Sequence, residues 1–200
     1  MDLTTTTRVA TLVNASGSAP TAFNSTVGQL ITQVSAAVES YLDRYAASGI
    51  SRTEYLPVTT GQMVFRLRAY PVASVTSVAF DIDQAFSTAL TSADYMNPVY
   101  SDTGLLTMRY VLRICDGYPD TMPGCLKVVY TGGMASSAAN FITAYPDIAG
   151  AVDQQVAYLY HQRNNLGTSS VSGDAGSVSA GADSWLPSVL DTLRRYRRLG

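Results

Sequence analysis

The stretch YPDIAGAVDQQVAYLYHQR, residues 145–163, decides how the rest of the chain is read. Ile148, Val152, Val156 and Leu159 recur at steps of four and three, which is one apolar stripe on a helix. Pro146 suits the first helical position, where its missing N–H costs nothing, and Asp147 beside it favours the positive end of the helix dipole. The spacing predicts a helix over about 146–164. Upstream, Val27, Leu30, Ile31, Val34, Val38, Tyr41, Leu42 and Tyr45 repeat in the same way, so a second long helix is expected over about 25–46. Ser25 or Thr26 serves as its N-cap, with Gly49 just past its end. A shorter helix is expected at 4–14, around Val9, Leu12 and Val13. Residues 134–145 read as a small-residue loop.

Between the long helices the period falls to two. Glu54-Tyr55-Leu56 leads through a turn at Thr59–Gln62 to Met63, Phe65 and Leu67, alternating with Val64, Arg66 and Arg68. That pattern predicts a half-buried hairpin strand. Val72, Val75 and Val78 then recur at threes and Val78, Phe80 and Ile82 at twos, and Asp94–Met96, Leu105–Val111 and Leu126–Thr131 are further strand candidates. Strands grouped between helical ends, not alternating with them, imply an α+β fold: a helical bundle packed with a small antiparallel β-sheet over about 52–131.

Beyond the 146–164 helix the composition changes. Residues 166–183 are rich in Ser, Gly and Ala with little to bury, and read as a flexible linker. A coil of about 20 residues spans roughly 25 Å. After it, Leu186, Val189, Leu190, Leu193 and Tyr196 return to helical spacing, with arginines in the last turn. The expected organisation is a core domain over 1–165, a linker over 166–183 and a basic amphipathic helix over 184–200, whose apolar stripe finds its burial on another molecule.

Bulk properties narrow the function. A chain of 200 residues with 46% hydrophobic residues can bury one core without a metal or a disulfide. Charged residues are 14% and tyrosines number 13, which fits either a surface made for protein contacts or a large core. The net charge of −2 argues against broad nucleic-acid affinity. It is unevenly spread: residues 184–200 carry four arginines against Asp191, or +3, and the rest is −5. Cys115 and Cys125 bracket a turn-rich loop that a disulfide can close. No secretory region precedes them and no apolar run reaches the roughly 20 residues that span a bilayer, so a reducing cytosol and free thiols are expected.

Catalytic constellations are scarce. His161 is the sole histidine, and there is no Gly-x-Ser-x-Gly elbow. A hydrolase built on His161 is therefore a remote reading. Gly173-Asp174-Ala175-Gly176-Ser177 has only a chance likeness to a serine-protease loop. Two cysteines and one distant histidine do not supply a zinc site. Asp81 and Asp83 share a strand face and can in principle hold Mg²⁺, but a solvated edge is the ordinary reading. No phosphate-cradling glycine motif is present. No cofactor is expected, and no enzymatic activity. The arginines at the C-terminal end allow three readings: phosphate contacts, dipole compensation, or an interface set flanking the stripe. A DNA-binding module using that helix is the alternative to a docking role.

Three stretches, read in order, resemble the head–tail connector (adaptor, or head completion) family of tailed bacteriophages and prophages. They are AAVESYLDRY at 36–45, LRAYPVASVTSV at 67–78, and VVYTGG at 128–133 followed by YPDI at 145–148 and a helix closing on Tyr160-His161-Gln162-Arg163. The resemblance covers most of 25–165, with a weaker likeness in the last helix. It implies a structural virion protein of the neck, assembled in the host cytoplasm, that forms a ring, commonly of twelve subunits, under the portal. Genomic DNA would pass through its bore without sequence-specific binding. The implied partners are the portal protein, a tail-side neck or tail terminator protein, and further copies of the chain, with no membrane. Portal docking then falls on Trp185, Leu186, Val189, Leu190, Leu193 and Tyr196, with Arg194, Arg195, Arg197 and Arg198 as charged partners. An equivalent adaptor of a gene-transfer particle fits the same residues.

Overall fold

The computed structural model describes residues 1–13, 21–96, 104–109, 120–163, 171–173, 176–178 and 185–197. Among the described residues the fold is α+β, with five helices, two three-stranded antiparallel sheets and one two-stranded hairpin. It divides into a helical unit, Met1–Asp43 with Ser137–Gly200, and a β unit, Arg44–Ser136.

The helical unit contains α1 (Thr6–Leu12), α2 (Thr21–Leu42), α3 (Ala138–Ala144), α4 (Pro146–Gln162) and α5 (Pro187–Tyr196). In α2 the buried apolar positions are Phe23, Val27, Ile31, Val34, Val38 and Leu42, one face at steps of three and four. The helix starts earlier than its stripe predicts, because Phe23 extends that stripe by a turn. It also stops earlier, at Leu42. Asp43 adopts φ 49°, a left-handed terminating conformation, so Gly49 is not its stop. The 146–164 expectation holds for α4 nearly to the residue, with Pro146 in its first turn. Within the expected 134–145 loop, Ser137 caps α3 by accepting the Asn140 N–H at 3.2 Å, and Phe141 is buried.

Polar groups tie the N-terminal segment to this bundle. Asp153 is buried midway along α4, where it accepts a hydrogen bond from the Thr4 hydroxyl and pairs with Arg8 at 2.7 Å. The Leu3 N–H reaches the buried Ser35 hydroxyl at 3.0 Å.

The β unit contains β1 (Ser51–Thr59), β2 (Val64–Arg66), β3 (Val72–Phe80), β4 (Tyr95–Met96), β5 (Leu105–Met108) and β6 (Thr121–Gly132). One sheet has the order β1-β6-β3 and the other β2-β5-β4. The expected hairpin of residues 54–68 is therefore not formed: β1 pairs with β6 and β2 with β5. The turn at 59–62 instead carries the chain from one sheet to the other. The Gln62 side chain bridges the change, accepting from the Thr59 N–H at 3.1 Å and donating to the Val64 carbonyl at 3.0 Å. The sheets share one core, in which Phe65, Leu106 and Met108 meet Val58, Val78, Leu126, Val128 and Tyr130.

Residues from four separated stretches meet at one end of this unit. The Arg44 guanidinium donates twice to the Tyr70 carbonyl, at 2.7 and 3.0 Å, and stacks 3.8 Å over the Tyr70 ring. The Tyr45 N–H bonds the Arg68 carbonyl at 3.1 Å. The Tyr130 hydroxyl accepts from the Ala69 N–H at 2.9 Å and donates to Glu54 at 2.6 Å. Gly132 admits the backbone of Ala69 and Pro71: a Cβ there would stand 2.8 Å from the Pro71 carbonyl and closer still to that of Ala69. Gly133, at φ 137°, lies as close against Ala47.

A short hairpin, β7 (Val171–Gly173) with β8 (Gly176–Val178), occupies part of the tract expected to be flexible coil throughout.

Candidate docking helix

α5 is ten residues long and opens on Pro187, with Arg194 and Arg195 in its last turn facing the negative end of the dipole. Its apolar stripe is buried within its own chain. Val189 and Leu193 are fully buried, and the helix packs on α4 and α2. The expectation that this stripe finds its burial on another molecule is corrected for these two residues. Helices α4 and α2 of the same chain supply the covering surface, and intramolecular burial is the nearer option.

Polar contacts fix both ends of the docked helix. The buried Gln155 of α4 accepts the Leu186 N–H at 3.0 Å, and Gln154 accepts the Ser188 hydroxyl at 3.5 Å. At the other end the Tyr196 hydroxyl donates to Asp147, and its ring meets Tyr145 edge-on at 6.3 Å. The Asp147 carboxylate, followed by burial, pushes the Tyr196 phenol above its ordinary value, because the bond is lost if the phenol ionises. Trp185 lies 6.5 Å from the Tyr41 ring, and Arg197 sits 5.1 Å over that same ring.

The ten residues expected to dock thus separate into groups. Val189 and Leu193 hold the helix down. Trp185, Leu186, Leu190 and Tyr196 are half-buried, and Arg194, Arg195 and Arg197 are exposed. Arg194 pairs with Asp191 at 2.9 Å in full solvent, a contact of about 0–1 kcal/mol. Arg198 lies outside the described residues. Gln155, Asp147 and Tyr41, which position the helix, did not stand out as functional. Asp147 reads from sequence as a dipole partner only, and a lone glutamine on a helix gives no signal of burial. A cleft of about 200 Å³ lies beside Trp185, lined by Val34, Ala37 and Leu159 with Gln33 and Gln155 at its polar side.

The other residues considered for chemistry take structural parts. His161 is exposed, 6.0 Å from the Tyr160 ring. The Asp81 carboxylate caps a turn, accepting from the N–H groups of Asp83 and Phe86 at 2.9 and 2.8 Å. Cys125 is a buried free thiol, pushed up by burial and then by Asp81, which disfavours the nucleophilic thiolate. Cys115 lies outside the described residues. Among the described residues no group of three or more His, Cys, Asp or Glu is placed to hold a metal ion. No described helix is long and apolar enough to cross a membrane.

No family model matches the sequence, and no curated protein matches it. Solved structures do. A chain in the neck of a native gene transfer agent particle, computed with C12 symmetry, matches at TM-score 0.53 and 20% identity, over 86% of this chain and 83% of that one. A chain in the neck of the empty particle, computed with C6 symmetry, matches at 0.53 and 18%, over 86% and 79%. A chain of the native gene transfer agent virion matches at 0.56 and 17%, over 98% and 93%. In line with the connector resemblance of its sequence, the chain has the fold of components of a gene transfer agent neck and virion.

Proposed function

We propose that this chain is a non-enzymatic head–tail connector of a phage-like particle. It forms a ring in the virion neck that joins the portal to the tail and lets genomic DNA pass. One observation carries the reading: the likeness to the neck and virion chains runs nearly end to end on both sides, so both units are accounted for. The symmetric necks to which those chains belong support a ring of copies. The order of the three connector-like stretches supports the particular role.

In this reading α5 engages the portal with the side it does not spend on its own chain. Arg194, Arg195 and Arg197 meet acidic groups there, while Trp185, Leu186, Leu190 and Tyr196 give half-buried apolar contact. Val189 and Leu193 keep the helix in place. The net negative body lets DNA slide past without adhering.

The test is to mix the purified chain with its particle's portal and image the mixture by negative stain. Rings on the portal are expected. The Arg194→Glu, Arg195→Glu pair, which leaves the buried stripe intact, should reduce portal association at least tenfold. Unchanged association would remove α5 from the contact, and the absence of rings would overturn the connector role. Binding to duplex DNA that falls steeply with salt and is lost in the same variant would instead favour a nucleic-acid module.

A further inference from the structure

α5 is joined to its seat by far more chain than the seat requires. The helix runs antiparallel to α4: the Leu186 N–H meets Gln155, the Ser188 hydroxyl meets Gln154, and the Tyr196 hydroxyl meets Asp147. Its start therefore lies beside Gln155, seven residues before the end of α4 at Gln162. At about 1.5 Å per residue, that is about 10 Å along the helix. Neighbouring antiparallel helices are ordinarily joined by about 2–8 residues. Here residues 163–185 intervene, 23 in all. The β7–β8 hairpin takes up eight of them and returns close to its own starting point, since Val171 pairs with Val178. The other 15, drawn out, span up to about 50 Å.

The seat also holds α5 by register more than by depth. Among the described residues of the helix only Val189 and Leu193 are buried. The remaining contacts are the hydrogen bonds to Gln155, Gln154 and Asp147 and the Tyr41 ring, which Trp185 and Arg197 approach from the two ends of α5. All four of these partners stand on α2 or α4, so any other copy of the chain presents the same seat. A helix of ten residues is marginal by itself and takes its stability from the surface that covers it.

We infer that in the assembled ring α5 is exchanged: the helix of one copy takes the seat on α2 and α4 of the next. Every copy gives one helix and receives one, so no seat stays open and no contact of the single chain is lost. The giving and receiving surfaces differ, which makes the link heterologous and lets it run from copy to copy until the ring closes. The extra chain costs little, because closure entropy grows only with the logarithm of length. A neighbour within reach presents its seat at an effective concentration of about millimolar. In the free chain the nearer seat, its own, is filled. The inference rests on the ring reading above and supplies the fastening between neighbouring copies. Arg194 and Arg195 stay outward in either arrangement.

Two experiments test it. Gln154→Cys and Ser188→Cys, both at exposed positions, are introduced together in a Cys115→Ser background, with Cys125 buried. In the dilute free protein a short bismaleimide should join the two thiols within one chain. In rings assembled on the portal it should give covalent ladders extending beyond dimers. Rings whose chains stay single, or whose ladder ends at dimers, would overturn the inference and leave the connector reading standing. Rings in which neither product forms would overturn it as well, because α5 would then have left the seat. If the unaltered chain forms no rings on the portal, the ring reading fails and the exchange with it. Separately, deleting residues 166–183 leaves five residues between Gln162 and Leu186, with a reach of up to about 20 Å. That suffices for the chain's own seat but falls short of one across an adjoining bundle whose helices are each about 10 Å thick. The shortened chain should keep its helical circular dichroism and lose at least fivefold in ring fraction. Normal rings from it would refute the exchange.

Discussion

The helical unit and the β unit spend their polar groups in opposite ways. In the helical unit each buried polar side chain serves one seam. Asp153 holds the N-terminal segment, Ser35 holds Leu3, and Gln155 receives the start of α5. In the β unit the polar contacts converge, with Arg44, Glu54, Tyr130 and two glycines meeting around residues 68–71. A structure pinned at separate seams loses one element at a time. A structure pinned at a single meeting point tends to lose everything together.

Substitutions can break or sharpen that contrast. Gly132→Ala should have the largest effect, because its methyl meets fixed backbone on two sides and no rotamer relieves it. A loss of about 4 kcal/mol or more is expected by denaturant unfolding, with the whole β unit melting together. A loss below 1 kcal/mol would show the meeting point to be loose. Leu193→Ala should cost about 2–4 kcal/mol. In hydrogen exchange the loss should appear in α5 first while α1 stays protected; uniform deprotection would erase the distinction between the units.

Tyr130→Phe should have the smallest effect at neutral pH, about 1–2 kcal/mol for two lost hydrogen bonds. Its larger consequence lies in the alkaline range. Burial, then the bond to Glu54, raises the Tyr130 phenol well above its ordinary value near 10. The unfolded chain therefore releases that proton first. Stability is fully present below about pH 10 and falls as pH rises through the raised value. The phenylalanine variant should show a shallower alkaline decline, and an identical slope would count against the buried bond.

The legible parts of the fold are those set by short-range periodicity. The stripe from Ile148 to Val156 locates α4 because the residues that pack also repeat every three or four positions. The turn at 59–62 misleads for the complementary reason. Alternation on either side shows that strands exist but not which neighbour they take, and pairing with residues 121–131 or 105–107 is decided far along the chain. For α5 the stripe was visible but its partner was not. An amphipathic helix states only that one face must be covered, and the face on α4 that covers it lies some 35 residues upstream. The three connector-like stretches could be read as letters without a cause. Part of each meets in the β unit: Arg44 bonds the Tyr70 carbonyl, and Gly132 lies against Ala69 and Pro71.

The β unit is one unbroken run of sequence, and its ends are joined to each other: the Ala46 carbonyl takes the N–H groups of Met134 and Ala135, and Ser48 bonds back to Ala135. During synthesis this run can close on itself before α3, α4 and α5 have left the ribosome, while α1 and α2 wait without their packing partners. The same closure makes 44–136 a cassette. Expressed by itself it should keep its sheets, and a short loop spliced in its place should leave five helices able to find one another.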